Sequence, residues 1–274
     1  MQPTQVLDFA AMRPYPDIDP IAFSLGPISI HWYGLAYLAA FAFAWWYGGL
    51  RAARPDNAFS KQDVADLIFY GALGAILGGR IGYVLFYGFE RLLEDPLYLF
   101  AFREGGMSFH GGMIGVTLAV WWFGRKKGQG LLEVTDFVAP LVPLGLGFGR
   151  LGNFANAELP GRVTDVSWAL VYPGDVLARH PSALYQAFTE GLVLFVIMVW
   201  VAHRPRPMGA ISGAFLMAYG CLRFMTEFFR EPDAHLGFVA LDWMSMGQVL
   251  SLPMILGGAG LLAFALKRGG HSHA

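Results

Sequence analysis

Long apolar stretches, separated by short polar loops, run through almost the whole chain. Seven of them reach the roughly 20 residues that a helix needs to cross a bilayer. They cover residues 28–50, 64–88, 108–124, 131–151, 183–203, 208–230 and 244–266. The pattern predicts an all-α, polytopic membrane protein with seven transmembrane helices, in which residues 1–274 form a single integral membrane domain.

Two polar intervals interrupt this pattern. Segment 89–106 has apolar patches but also six charged residues, which predicts an interfacial helix that lies on the membrane. Segment 152–182 separates the fourth span from the fifth and predicts a small head outside the bilayer.

The basic residues of the short loops predict the orientation, because cytoplasmic loops are enriched in lysine and arginine. One set of loops carries ten basic residues, and the opposite set carries five over a longer stretch of sequence. The ten are Arg51, Arg54, Lys61, Arg125, Lys126, Lys127, Arg204, Arg206, Lys267 and Arg268. The amino terminus is therefore predicted outside and the carboxyl terminus inside.

The composition agrees with a membrane protein. Hydrophobic residues make up 55% of the chain, the mean hydropathy is +0.47 and 14% of the residues are charged, against about 25% in soluble domains. The net charge of −1 gives no basic surface for nucleic acid, and the single cysteine, Cys221, excludes a disulfide within the chain. The first twenty residues lack a basic region and an apolar region, so we expect no cleaved signal peptide.

A glycine-rich polar motif follows the fourth predicted span. Its chemistry-bearing residues are Arg150, Asn153, Asn156, Glu158 and Gly161. Charged and amide groups at the bilayer edge are costly unless they have partners, and glycine lets the backbone approach a bound group. The motif predicts a polar site suited to an anion. The alternative is a snorkelling arginine beside a glycine-rich loop.

Other polar residues fall at a similar predicted depth. At 1.5 Å per residue, Arg223 lies roughly 10 Å and Arg80 roughly 12 Å from the outer ends of their spans. His110 opens the third span from the outer side, and Tyr33 lies near the outer start of the first. Together with Arg150, these residues predict one cavity that opens outward.

The sixth span carries a polar face. Tyr219, Arg223 and Glu227 are four residues apart and line one side of a helix, and Arg230 lies three residues further on. The structural alternative is an Arg223–Glu227 ion pair, although burying such a pair costs several kcal/mol of desolvation per ion. Ser245, Gln248 and Ser251 in the last span are predicted to make helix–helix contacts.

Three residues leave two interpretations open. His110 and His180 are either catalytic groups, since a neutral imidazole accepts a proton near physiological pH, or hydrogen-bonded residues at helix starts. Arg80 follows two glycines and either meets a lipid headgroup or acts as counter-ion for Asp136 or Glu190.

Motifs of other enzyme classes are missing from the sequence. It has no G-x-S-x-G elbow, no H-E-x-x-H metal helix and no Walker A loop. A hydrolytic nucleophile, a catalytic metal and an ATP-driven pump therefore lack support, and we expect no cofactor.

Residues 150–161, Arg-Leu-Gly-Asn-Phe-Ala-Asn-Ala-Glu-Leu-Pro-Gly, resemble the signature of the bacterial prolipoprotein diacylglyceryl transferases. Further similarities lie, in the order of that family, in segments 31–35, 109–112, 180–185 and 219–233, and together they span nearly the whole chain. One departure is Gln186, where some members carry glutamate.

This resemblance implies the reaction. In that family the diacylglyceryl group of phosphatidylglycerol moves to the lipobox cysteine thiol of a prolipoprotein signal peptide, glycerol-1-phosphate leaves, and lipoprotein maturation begins. The expected address is the bacterial inner membrane, with the active site and a head over 152–182 on the periplasmic side.

The resemblance also implies roles for single residues. Arg150 and Arg223 would hold the phosphate, His110 would deprotonate the thiol unless the cations alone lower its pKa, and Tyr33 would orient thiol or headgroup. The expected phosphatidylglycerol-binding residues are Arg150, Asn153, Asn156, Glu158, Gly161, Tyr219, Glu227 and Arg80, with His180 and Arg230 as further candidates.

Two other functions fit intramembrane arginines. One is a transporter or flippase for an anionic lipid or solute, and the other is a scaffold that only binds anionic lipid. The chain shows no repeated halves, which many transporters have.

Overall fold

The computed structural model describes residues 13–55, 57–233 and 236–271. The expectation about the first twenty residues therefore falls largely outside the described residues. The described chain is mostly helical, as predicted. Its α-helices are α1 (Trp32–Ala52), α2 (Lys61–Tyr87), α3 (Phe89–Glu94), α4 (Phe109–Lys127), α5 (Leu131–Val138), α6 (Val142–Ala155), α7 (Ser182–Gln186), α8 (Leu194–Val201), α9 (Ala210–Thr226) and α10 (Met246–His271).

Short strands, which the apolar pattern did not predict, accompany these helices. They are β1 (Arg13–Pro14), β2 (Ile21–Leu25), β3 (Ile28–His31), β4 (Leu170–Val171), β5 (Ala178–Arg179), β6 (Phe238–Ala240) and β7 (Met244–Ser245). The pairs β2–β3 and β6–β7 are antiparallel. Because β3 occupies residues 28–31, the first helix begins at Trp32, four residues later than predicted.

Four helical segments of the described chain are long and apolar enough to cross a membrane. They are Lys61–Tyr87, Leu131–Ala155, Ser182–Val201 and Met246–Gly269, and Ala210–Thr226 is a shorter apolar helix. The helices α1 and α4 lie at two further predicted spans. The count of seven crossings and the orientation stay predictions.

The chain divides into two compact units, residues 44–138 and residues 1–43 with 139–274. Whether they form one integral membrane domain stays a prediction. In unit 44–138, α2 and α4 cross at glycines: a Cβ added to Gly115 would lie 2.0 Å from the carbonyl oxygen of Gly74. Small residues allow such close contact between membrane helices.

Ser60 is the N-cap residue of α2. Its side chain accepts a hydrogen bond from the backbone N–H of Asp63, and the carboxylate of Asp63 accepts one from the backbone N–H of Ser60, which together form a capping box.

Segment 89–106, predicted as one interfacial helix, is broken into short turns. The helix α3 ends at Glu94, and 3₁₀ turns follow over Pro96–Phe100 and Phe102–Glu104. Proline disfavours helical backbone in the residue before it, and Asp95 is extended (φ −136°, ψ 97°). The single-helix prediction was therefore wrong.

In the other unit, a small sheet forms from segments far apart in sequence. The strand β4 lies between β1, to which it is parallel, and β5, to which it is antiparallel. Most of this sheet belongs to the predicted head over 152–182.

The fifth predicted span is not a regular α-helix. A π-helical segment, Ala187–Val193, separates α7 from α8. It packs against α6 at two glycines, since a Cβ on Gly191 would lie 2.7 Å from the Cα of Gly147. A π-helical turn is wider than an α-helical one and often occurs at functional sites. Here it carries Glu190, which is fully buried.

Candidate functional site

Glu190 joins two of the arginines predicted to act together. Its Oε2 lies 3.4 Å from Nη2 of Arg150 at the end of α6, and its Oε1 lies 3.4 Å from Nη1 of Arg223 on α9. Thr226 donates from Oγ1 to the same Oε1 at 3.2 Å. A fully buried carboxylate needs such partners to stay ionised, so three segments of the chain meet at this one group.

The charges continue beyond Arg223 as an alternating chain. Nη2 of Arg223 lies 2.7 Å from Oε2 of the buried Glu227, whose Oε1 lies 2.9 Å from Nη1 of Arg230. Arg230 also pairs with Asp233, and Ser245 donates from Oγ to Oε1 of Glu227 at 3.0 Å. The helical spacing of this face, and its internal ion pair, are confirmed.

The ion chain alternates three arginines with three carboxylates, so its formal charge is balanced. The arginines and the two glutamates of this chain differ in accessibility. The side chain of Arg150 is 22% exposed and that of Arg223 is 15% exposed, whereas Glu190 and Glu227 are inaccessible. Within the described residues, Arg150 has Glu190 as its one ion-pair partner. A guanidinium has five donors, so Arg150 and Arg223 keep capacity for an anion from outside the protein.

The polar side chains of the motif at the end of α6 hydrogen-bond to one another. The carboxylate of Glu158 accepts hydrogen bonds from Nδ2 of Asn153 at 2.7 Å and from Nδ2 of Asn156 at 3.1 Å. The backbone N–H of Glu158 donates to the carbonyl of Asn153 at 2.9 Å. Oδ1 of Asn156 is buried and has no hydrogen-bond partner among the described residues. The loop thus offers a spare amide oxygen beside a partly exposed carboxylate.

At two positions of the motif, neighbouring groups lie too close for any residue larger than glycine. A Cβ on Gly152 would lie 2.7 Å from Cδ2 of Tyr33, so the tyrosine ring rests directly on this backbone. A Cβ on Gly161 would lie 2.4 Å from the carbonyl oxygen of His180 and 2.6 Å from that of Phe229. The structure therefore brings Tyr33 and the loop before α7 to the motif.

His180 lies just before the fifth predicted span and belongs to an aromatic cluster. Its Nδ1 lies 3.1 Å from Oη of Tyr185, which accepts a hydrogen bond from Nε1 of Trp168 at 2.6 Å. The His180 ring also contacts the edge of Phe229, with centroids 5.2 Å apart. Burial lowers the pKa of His180, because desolvation disfavours the imidazolium. The neutral ring is therefore favoured, as a base or as a hydrogen-bonded structural group.

Tyr219 lies one helical turn before Arg223 on α9. Its ring stacks on Phe215, with centroids 5.9 Å apart and planes within 2°. The residue is half-buried and packs against the apolar core of its unit.

Arg80 belongs to unit 44–138 and is 1% exposed. Its guanidinium donates to the carbonyl oxygens of Leu99 at 3.1 Å, Gly105 at 2.6 Å and Gly106 at 3.4 Å, and to that of Tyr98. These contacts give Arg80 a structural role in folding the turns after α3. Its contact with a lipid phosphate stays a prediction.

His110 lies in the same unit as Arg80 and is exposed in the first turn of α4. The cap of that helix is Ser108, whose Oγ accepts a hydrogen bond from the N–H of Gly111 at 3.2 Å. Ser108 therefore performs the capping function that was considered for His110. The catalytic role of His110 stays a prediction.

Glu190 and Ser245 are the residues that inspection of the sequence missed. Glu190 was considered only as a counter-ion for Arg80, and Ser245 only as a helix–helix contact. A carboxylate inside an apolar span is a signal of function, but its partners lie 40 and 33 residues away in the chain. The partners of Glu190 could therefore not be predicted from local spacing.

Comparisons with known proteins identify the family of the chain. Residues 20–264 match the family described as prolipoprotein diacylglyceryl transferase. Similar proteins named phosphatidylglycerol–prolipoprotein diacylglyceryl transferase include one from Ectopseudomonas mendocina, 56% identical over 94% of this chain and 97% of its own. Another, from Pseudoalteromonas translucida, is 59% identical over 93% of this chain and 95% of its own. The chain belongs to the prolipoprotein diacylglyceryl transferase family.

Proposed function

We propose that this protein transfers the diacylglyceryl group of phosphatidylglycerol to the lipobox cysteine thiol of prolipoproteins. The thiolate sulfur forms a thioether bond with the glyceryl carbon that bears the phosphate. The bond from that carbon to oxygen breaks, its electron pair leaves with glycerol-1-phosphate, and the thiol proton passes to a base. The substrates follow the names of its relatives. The nucleophile belongs to the acceptor, so the reaction needs no cysteine of the enzyme and no cofactor.

The observation that carries this proposal is the pairing of Arg150 and Arg223 on Glu190. Two guanidinium groups held on one buried carboxylate are oriented before substrate arrives. Positioned donors of this kind stabilise charge that develops on a leaving phosphate ester. The carboxylate offsets part of their charge, which favours release of the anionic product.

The glycine-rich loop shapes the pocket around this pair. Asn153 and Asn156 hold Glu158 in place, and we assign the buried, unpartnered Oδ1 of Asn156 to a hydroxyl of the glycerol headgroup. Tyr33, which rests on the same loop, would orient the headgroup or the thiol. Gly161 allows the loop to pack closely against the backbone carbonyl of His180.

The remaining predicted site residues on and after α9 contact Arg223 or lie near it. Glu227 pairs with Arg223 and with Arg230, which continues the ion chain beyond Arg223, and Tyr219 packs one turn earlier on the same helix. We assign these residues to positioning of Arg223. His180 stays a further candidate for contact with phosphatidylglycerol.

His110 is the proposed base for the acceptor thiol. Its imidazole is exposed in the first turn of α4, and histidine is the side chain that most often serves as a general base. The substitution His110→Gln should lower the transfer rate and change its pH profile. An unchanged rate and pH profile would remove the base role and leave thiol activation to the cations.

The proposed setting is the bacterial inner membrane, with seven crossings, the amino terminus outside and the site on the periplasmic side. Basic residues concentrate in one set of loops, as the positive-inside rule requires for the cytoplasmic side. Segment 152–182 would then form the head that receives the signal peptide.

The test is mass spectrometry of a lipobox peptide incubated with the purified protein and phosphatidylglycerol. We expect a diacylglyceryl mass gain on the cysteine, and Arg150→Ala should reduce its rate about 100-fold to 1,000-fold, as loss of a transition-state donor typically does. The matched control is Arg204→Ala, which removes an exposed arginine of the loop between α8 and α9.

The outcomes separate the proposal from its alternatives. Lipid movement across vesicles without a mass gain would indicate a transporter, and lipid binding alone would indicate a scaffold. A normal rate in a folded Arg150→Ala variant would contradict the assignment of this arginine to the phosphate.

A further inference from the structure

An amphiphilic cavity lies in unit 44–138, between the end of α1 and the start of α2. Its volume is about 370 Å³. The described residues that line the cavity include no member of the ion chain.

The wall of this cavity is apolar and accessible. Trp45, Trp46 and Leu50, all on α1, line it and are 61%, 57% and 52% exposed. Gly49 and Ala53 line the same side and leave room between the large side chains. Tryptophan is enriched where hydrocarbon meets headgroups, because its ring is apolar and its N–H is polar. This wall fits the upper part of a lipid acyl chain.

The opposite wall carries a positive charge. Lys61, the first residue of α2, and Gln62 beside it line the cavity, and among the described residues Lys61 is the single charged one in the lining. Within the described part of the chain Lys61 has no ion-pair partner, whereas Lys127 at the end of α4 pairs with Asp63. Its ammonium group is thus available to an anion at the rim of an apolar cavity.

We propose that this cavity binds one anionic phospholipid, with its phosphate on the ammonium of Lys61 and an acyl chain against Trp45 and Leu50. The complementary charge of Lys61 selects an anionic lipid over a zwitterionic one. In the orientation proposed above, the lipid would come from the cytoplasmic leaflet and would be a bound lipid distinct from the donor substrate.

The test uses full-length protein in phosphatidylcholine nanodiscs that contain a small fraction of a photoactivatable lipid. One sample carries phosphatidylglycerol with a diazirine in its acyl chain, and a parallel sample carries phosphatidylcholine with the same chain. After irradiation, mass spectrometry measures adducts on peptides that contain Trp45 and Trp46. We expect about five-fold more labelling by phosphatidylglycerol, the contribution that one lysine typically makes to binding of an anionic lipid.

Two variants make the result specific. Lys61→Gln should bring the labelling ratio of the two lipids to about one. Lys126→Gln, which removes a basic residue that contacts Tyr70 and Trp122 instead of the cavity, should keep the preference. Equal labelling by both lipids in the wild type, or an unchanged preference in Lys61→Gln, would overturn the proposal.

A third variant separates this proposal from the proposed reaction. Arg150→Ala should remove transfer while leaving the labelling at Trp45 and Trp46 unchanged. Loss of the lipid preference in that variant would place the labelled lipid at the donor site and would also overturn the proposal.

Discussion

The substitution Glu190→Gln tests the central feature of the site. It removes one negative charge, keeps the size of the side chain and leaves Arg150 and Arg223 without their shared carboxylate. At an effective dielectric constant of about 20, two unit charges 3.4 Å apart gain about 5 kcal/mol before desolvation is counted. Much of this gain offsets the cost of burying the ions.

The net effect is smaller than the gross attraction but still large. Removing one partner of a buried ion pair typically costs about 3–5 kcal/mol, because the remaining charge is left uncompensated. For a protein of this size, that corresponds to a fall in Tm of about 10 °C. Arg223 keeps its ion pair with Glu227, whereas Arg150 loses its one ion-pair partner among the described residues and its guanidinium can move. A displacement of about 1 Å at a reacting group can reduce the rate about 100-fold.

Two measurements check this prediction: thermal unfolding in detergent and the rate of transfer to a lipobox peptide. The matched control is Glu231→Gln, which removes a carboxylate that lies 3.3 Å from Arg179 and is 49% exposed. Exposed ion pairs contribute about 1 kcal/mol or less, so the control should remain near the wild type in both assays. If Glu190→Gln were as stable and as active as Glu231→Gln, Glu190 would not be the group that holds the two arginines.

Three further predictions concern other parts of the chain. Gly161→Ala places a Cβ 2.4 Å from the carbonyl of His180 and should lower Tm and activity, whereas Gly149→Ala, with open space around its Cβ, should change neither. Gly115→Ala places a Cβ 2.0 Å from a carbonyl of α2 and should cost about 1–3 kcal/mol of stability, whereas Gly71→Ala, on the open side of α2, should be nearly neutral in the same unfolding assay. Burial lowers the pKa of His180 in the folded state, so its contribution to stability is present above about pH 6.5 and is lost as the pH falls through the lower folded pKa. His180→Gln should remove that slope from the pH dependence of Tm, and an equal slope in both proteins would contradict the assignment.

The sequence alone determined the features that depend on local spacing. Apolar runs located the long helices to within a few residues, because the length and the apolarity of a membrane helix are both written along the chain. The pair of Glu227 with Arg223 followed from a helical spacing of four residues, and the spacing of three placed Arg230 on the same side of the helix. The polar motif that carries Arg150 was visible because amides and charges are rare beside an apolar span.

Only the tertiary structure decided which distant groups meet. Glu190 reaches Arg150 and Arg223 because a π-helical segment packs glycine to glycine against α6, and no local pattern encodes that contact. Arg80 received carbonyl partners because segment 89–106 is broken into turns, which bring the carbonyl groups of Leu99 and Gly105 to its guanidinium. Helix formation follows from neighbouring residues, whereas the partners of a buried charge depend on how separate segments pack.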